Sequence, residues 1–135
     1  MRIMKRSVVR VVLVVAAAVA AAAWLPRVVA FREPPDPVRE IRIVARDMTF
    51  YVDGNQTPNP TLRVRAGEQI RVVLRNEDPG MTHDFSVTAW DLATKTLTHK
   101  GEWDAVVFHV PAQRGTIAYQ CTPHSELMKG TITIE

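Results

Sequence analysis

Residues 119–130 read YQCTPHSELMKG and run directly into the alternating segment TITIE at residues 131–135. A cysteine, a histidine and a methionine fall within this stretch, as Cys121, His124 and Met128. Alternation of apolar and polar residues on both sides predicts strands at residues 116–120 and 131–135. The three side chains are therefore expected on a loop at one end of a β structure.

The rest of the domain has the same period-two pattern. Turn residues, chiefly Gly, Pro, Asn and Asp, separate the apolar segments at intervals of about 8 to 12 residues. Residues 89–100 lack a clear pattern and are predicted to form a loop, with one helical turn at Leu92. About seven or eight short strands predict an all-β, two-sheet antiparallel Greek-key sandwich, with the remaining strands at residues 38–45, 48–52, 61–65, 69–76, 83–87 and 105–110.

The N-terminus has a different composition. Residues 1–10 hold four basic side chains, and residues 11–25 hold no charge and consist almost entirely of Val and Ala. This pattern is typical of an export signal, so residues 1–30 are predicted to be a signal peptide cleaved after Ala30 or Ala23, or an uncleaved signal anchor. Residues 31–37, FREPPDP, predict a stiff Pro-rich linker before a domain at residues 38–135. We expect an exported protein, in the periplasm or on the outer face of the cytoplasmic membrane, touching the membrane only through an uncleaved leader.

The formal charge of +3 belongs mostly to that leader. Residues 1–30 carry five of the 17 basic side chains and none of the 14 acidic ones, which leaves residues 31–135 with 12 basic and 14 acidic side chains. A domain with this balance has no basic surface for nucleic acid, so no nucleic-acid partner is expected. Cys121 is the only cysteine and cannot form an intramolecular disulfide. An exported lone thiol resists oxidation when it is buried or bound to a metal.

Thiolate, imidazole and thioether are soft or borderline ligands. Together they suit a single mononuclear copper ion that cycles between Cu(I) and Cu(II), with two histidines and a cysteine in a plane and a weak axial methionine. A second histidine must then come from another strand. His83, 38 residues before Cys121, follows a turn at the expected end of the sandwich, whereas His99 and His109 are expected on the surface. Two alternatives stay open: Met128 as core packing and Cys121 as a buried small hydrophobe.

The Cys121–His124–Met128 pattern, with His83 upstream and β periodicity throughout residues 38–135, resembles the cupredoxin family of type 1 (blue) copper proteins. CTPH at residues 121–124 is similar to the loops of amicyanin and pseudoazurin, and the spacing to Met128 is closer to azurin. The resemblance implies that His83, Cys121, His124 and Met128 hold the copper.

Three neighbours of these residues are expected to shape the site. The family usually has asparagine after its first histidine, where this chain has Asp84. We expect the Asp84 carboxylate to tie the two copper loops together by accepting from a backbone N–H or from the Thr122 hydroxyl, and to favour Cu(II). Pro123 has no N–H to donate to the cysteine sulfur.

The resemblance implies a single-electron carrier that meets redox protein partners in transient contacts near His124 and is not an enzyme. A periplasmic copper carrier or sensor could use the same ligands. An enzyme with Cys121 as its nucleophile would need a histidine base but not Met128. A metal-free adhesion sandwich would leave Cys121, His124 and Met128 unexplained.

Overall fold

The computed structural model describes residues 37–135. The predicted leader at residues 1–30, and all of the predicted linker except Pro37, lie outside the described residues and stay predictions. Nine strands form the described part: β1 (Arg39–Arg46), β2 (Thr49–Val52), β3 (Leu62–Val64), β4 (Gln69–Asn76), β5 (Ser86–Val87), β6 (Leu92–Ala93), β7 (Trp103–His109), β8 (Gly115–Gln120) and β9 (Lys129–Ile134).

The strands form two sheets, in the orders β2-β1-β4-β7 and β3-β9-β8-β5-β6. This confirms the predicted all-β sandwich. The sheets are mixed rather than purely antiparallel, because β1 pairs with β4 and β3 pairs with β9 in parallel. Alternation in a sequence specifies which face of a strand is buried but not the direction of its neighbour, so the antiparallel detail was wrong at these two pairs.

The element before the first candidate ligand also differs from its prediction. Residues 83–87 were expected to form one strand, but His83 makes only an isolated bridge with Leu97, and β5 is limited to Ser86–Val87. The helical turn expected at Leu92 is a 3₁₀ turn at Thr88–Trp90, and Leu92 lies in the short edge strand β6. Within residues 37–135, no helix is long and apolar enough to cross a bilayer.

A cluster of buried aromatic rings fills the sandwich beside the Cys121 loop. Phe85 stacks on Tyr119 with 5.1 Å between ring centroids, and Phe50 packs against both rings. Tyr119 lies across the backbone of Gly130 on the neighbouring strand, where a Cβ atom would come within 2.4 Å of the tyrosine oxygen. Glycine is required at this point because the ring occupies the space of a side chain. The cluster extends the core to Tyr119, two residues before Cys121.

Candidate metal centre

Three of the predicted ligands lie together at one end of the sandwich. The candidate donor atoms of His83, Cys121 and His124 all lie within 4.8 Å of one another. The Cys121 Sγ atom is 3.7 Å from His83 Nδ1 and 3.6 Å from His124 Nδ1. Both histidines therefore turn the same ring nitrogen towards the sulfur.

These spacings fit a metal ion shared by the three groups. Typical zinc–sulfur and zinc–imidazole bonds, about 2.3 and 2.0 Å long, place their donor atoms about 3.7 Å apart when the angle at the metal is near 120°. Both sulfur–nitrogen distances agree with that value. A thiolate with two imidazoles in a trigonal plane is the donor set of blue copper sites. The chemistry and the spacing of the residues present thus suit copper.

The Cys121 loop owes its shape to short backbone hydrogen bonds. Thr122–His124 form a 3₁₀ turn, in which the His124 N–H donates to the Cys121 carbonyl over 3.1 Å. The Met128 N–H donates to the His124 carbonyl, and the Cys121 N–H donates to the Met128 carbonyl, each over 2.9 Å. The loop is closed on itself, so the backbone holds its cysteine, histidine and methionine in fixed relative positions.

Met128 is the last residue of this loop. Its side chain is fully buried, as are those of His83 and Cys121, whereas His124 is half-buried. Its backbone hydrogen bonds with Cys121 and His124 place it at the same end of the sandwich as those two residues. His83, Cys121, His124 and Met128 form a cluster suited to a single copper ion.

His83 is held both by its backbone and by its ring. Its N–H donates to the Leu97 carbonyl over 2.9 Å, and its carbonyl accepts from the Leu97 N–H over 2.7 Å. Its ring Nε2 lies 3.0 Å from Oδ2 of the buried Asp78 carboxylate. Burial lowers the pKa of His83, and the neighbouring Asp78 opposes that effect in part. Neutral imidazole is the form that binds a metal.

Asp78 joins this histidine to the turn between β1 and β2. Its carboxylate accepts the backbone N–H groups of Asp47 and Met48 over 2.7 and 3.1 Å. Both turn residues have positive φ angles, 52° and 56°. Burial by itself would raise the pKa of Asp78, but the backbone N–H groups of Asp47 and Met48 and the His83 ring lower it below the usual value. The carboxylate thus lies among two backbone N–H donors and the His83 ring.

A second buried carboxylate links the two halves of the centre. The Thr122 backbone N–H donates to Asp84 Oδ1 over 2.5 Å, and the Thr122 hydroxyl lies 3.3 Å from the Ser86 hydroxyl. Asp84 follows His83 in sequence, and Thr122 follows Cys121. The contact therefore connects the segments that carry His83 and Cys121.

The thiol of Cys121 is fully buried. Burial raises its pKa, and backbone hydrogen bonds from Asp84 and His124 oppose that rise in part. A buried thiol with a raised pKa is a poor nucleophile in the absence of metal. The environment of Cys121 therefore favours a ligand over a reactive thiol.

The loop also reaches the surface. Pro123 is exposed, Leu127 is 63% exposed, and both flank the half-buried His124. The other two histidines, His99 and His109, are exposed and lie outside the cluster. Two exposed apolar side chains therefore lie beside the one candidate ligand that approaches solvent.

Sequence reasoning missed three residues that support the centre. Besides Asp78, Asn76 is fully buried and holds the turn before His83, donating to the Met81 carbonyl and accepting from the Asp78 N–H, each over 2.9 Å. Asn59 donates to the Leu127 carbonyl over 3.0 Å. All three lie in segments rich in Asn, Asp, Pro and Gly, which indicate turns but do not reveal which polar side chain is buried.

Comparison with known proteins gives an independent result. The model of copper-binding proteins of the plastocyanin/azurin family matches residues 40–135. No curated protein sequence matches the chain.

Several solved structures share its fold. Auracyanin B has a TM-score of 0.57 at 25% identity, with 77% of this chain and 92% of auracyanin covered. Dithionite-reduced auracyanin from Roseiflexus castenholzii has a TM-score of 0.57 at 22% identity, with coverages of 71% and 96%. Rusticyanin from Thiobacillus ferrooxidans has a TM-score of 0.53 at 20% identity, with coverages of 73% and 79%.

Proposed function

Because this chain belongs to the plastocyanin/azurin family of copper-binding proteins, we propose that it is a blue copper protein that carries single electrons between redox partners outside the cytoplasm. The observation that carries the proposal is the convergence of Cys121 Sγ with the Nδ1 atoms of His83 and His124, at 3.7 and 3.6 Å. The two segments that supply these donors are 38 residues apart in sequence.

His83, Cys121, His124 and Met128 would hold the ion. Copper in such a donor set supplies a reversible one-electron Cu(II)/Cu(I) couple. The protein contributes hydrogen bonds that restrain the donors: the loop is closed by three backbone bonds, and His83 is held at its N–H, its carbonyl and its ring. Such restraint limits rearrangement of the ligands between the two oxidation states, which favours fast transfer.

The surface around His124 is the proposed contact for redox partners. His124 is the only candidate ligand among the described residues that approaches solvent, and the exposed Pro123 and Leu127 lie beside it. Small apolar contacts suit electron-transfer partners, which must dissociate after each encounter. The partners themselves are expected to be proteins with a redox centre near their own surface.

The remaining parts of the proposal concern chemistry and location. We propose that the protein is not an enzyme by itself, since Cys121 is fully buried with a raised pKa and is poorly suited to act as a nucleophile. We propose export to the periplasm, or to the outer face of the cytoplasmic membrane, because residues 1–30 have the pattern of an export signal.

Copper titration with voltammetry tests the proposal. We expect one equivalent of Cu(II) to produce an intense visible thiolate-to-copper band and a reversible one-electron wave. Cys121→Ser should lose both, whereas Ser125→Ala, a change in the same loop, should keep both. Tight Cu(I) binding with no band and no reversible wave would instead indicate a copper carrier, and thiol reactivity at neutral pH without metal would indicate a nucleophile.

A further inference from the structure

The contact between Asp78 and His83 is one that the proposed function does not by itself require. His83 has no exposed surface, and its ring has two nitrogens with different neighbours. Nδ1 lies 3.7 Å from the Cys121 sulfur, and Nε2 lies 3.0 Å from Asp78 Oδ2. The ring is therefore placed between a thiol on one side and a carboxylate on the other.

The hydrogen bonds of Asp78 indicate which ring nitrogen of His83 carries the proton. An ionised carboxylate only accepts hydrogen bonds. Asp78 already accepts two backbone N–H groups, from Asp47 and Met48, so its third contact is also one in which it accepts. The His83 Nε2–H must then be the donor, which leaves the Nδ1 lone pair facing Cys121.

We propose, as an inference that rests on the proposed copper function, that Asp78 is the positioning residue of the centre, which locks His83 in the Nε2–H tautomer and, through that hydrogen bond, stabilises Cu(II) over Cu(I). A carboxylate on the far nitrogen of a ligating histidine fixes the ring orientation and makes the imidazole a stronger donor. Stronger donation favours the more highly charged ion.

The position of Asp78 is itself fixed by a strained turn. Asp47 and Met48 both adopt left-handed backbone conformations, which cost free energy for a residue such as methionine. Their N–H groups point together at the Asp78 carboxylate, and the Asn76 side chain accepts the Asp78 N–H over 2.9 Å. Asp78 is thus held at its carboxylate by two N–H groups and at its backbone by Asn76, so its contact with His83 has a defined geometry.

The first test uses the metal-free protein and ¹⁵N spectra of the histidine ring. In the wild type we expect a single Nε2–H tautomer of His83, with a ring proton protected from exchange. Asp78→Ala should lose both features. Glu77→Gln, which removes the neighbouring carboxylate that pairs with Arg46 and Arg75 instead, should keep both. An unchanged His83 tautomer in folded Asp78→Ala would overturn the proposal.

The second test measures the reduction potential of the copper-loaded Asp78→Asn variant, which keeps an acceptor oxygen but loses the charge. Loss of such a partner costs about 10- to 100-fold in metal affinity. If the affinity for Cu(II) falls and the affinity for Cu(I) does not, the reduction potential rises by about 59 mV for each tenfold loss of Cu(II) affinity. An unchanged potential, with the visible band intact, would mean that Asp78 serves only the turn.

These outcomes separate the two proposals. A wild-type protein that binds copper without a thiolate band would refute the blue copper function, while the tautomer of the metal-free protein would still report on Asp78. A blue wild type whose Asp78 variants have the wild-type tautomer and potential would refute the role of Asp78 alone. If Asp78→Ala fails to fold, the reduction potential of Asp78→Asn decides the role of Asp78, because its amide oxygen can still accept from His83 Nε2–H and its tautomer is not diagnostic.

Discussion

The two ends of the sandwich are closed by different kinds of interaction. The metal end consists of residues 76–84 and 121–128, and the far end consists of residues 65–69 with Val110 and Glu135. Strand β4 runs from one end to the other. Among residues 37–135, all the buried polar or charged side chains lie between positions 76 and 94, namely Asn76, Asp78, His83, Asp84, Ser86 and Thr94. The far end relies instead on turns and on ion pairs that are more exposed to solvent.

This difference shows that the polar groups that are costly to bury lie at the metal end. Burying a polar group is unfavourable unless each donor and acceptor is paired. The metal end satisfies that condition with an interlocked set of bonds around Asn76, Asp78 and Asp84. At the far end, the Arg39 guanidinium meets Glu68 over 2.6 Å, and the Arg63 guanidinium meets Glu135 over 2.6 Å. Solvent replaces much of what such pairs contribute.

The largest effect is expected for loss of a buried asparagine at the metal end. Asn76→Ala leaves the part-buried Met81 carbonyl and the buried Asp78 N–H without their side-chain partner, so it should lower the free energy of unfolding by about 2 to 4 kcal/mol. Asn55→Ala is the matched control, because Asn55 is exposed and bonds only the Thr57 N–H in its own turn. That control should cost below about 1 kcal/mol. Equal losses of unfolding free energy in the two metal-free variants, measured in urea, would contradict the special role of the buried asparagine.

A smaller effect is expected at Glu68 in the far end. Its hydrogen bond with Arg39 lowers the pKa of this carboxyl, partial burial opposes the shift, and the Arg65 N–H lowers it further. The folded protein thus holds Glu68 ionised to lower pH than the unfolded chain does. The resulting stability is present above the ordinary pKa of 4.5 and is lost as pH falls through the lower folded value.

Glu68→Gln should therefore cost about 1 kcal/mol at pH 7 and flatten the fall in unfolding free energy on acidification below about pH 4.5. Urea unfolding across a pH series measures both. Glu126→Gln, which removes an exposed carboxylate of the copper loop, controls for the loss of one charge. A Glu68→Gln profile that is parallel to the wild type would show that the ion pair contributes nothing that depends on pH.

The smallest effect is expected at the Arg63–Glu135 pair. These side chains are 71% and 56% exposed, so Arg63→Ala should change the free energy of unfolding by below about 0.5 kcal/mol. The change should shrink further in high salt, because exposed charges are screened. A loss comparable to that of Asn76→Ala would show that the far end is as tightly coupled as the metal end.

The sequence was most informative where a pattern repeats or a spacing is unusual. Strand β4 lies at residues 69–76 as predicted, because Ile70, Val72 and Leu74 alternate onto the buried face. The combination of Cys121, His124 and Met128 pointed to copper, which family membership supports. The ligand roles of the individual residues stay predictions.

Other features could not be predicted because they depend on contacts across the fold. The parallel pairing of β1 with β4 has no signature in the alternation of either strand. Met48 was placed in a strand, but it lies in the two-residue turn before β2, held by the carboxylate of Asp78. Asp78 stands in the segment NEDPG, where turn chemistry explains its presence and hides its contact with a distant histidine.

The most direct test of the account is the visible spectrum of the copper-loaded protein after each of two histidines is replaced. His83 lies buried beside Cys121, and His109 lies exposed on β7. If four side chains from two distant segments hold one copper ion, His83→Ala should remove most of the thiolate-to-copper band and His109→Ala should leave it unchanged. An intact band in His83→Ala, or its loss in His109→Ala, would contradict the account.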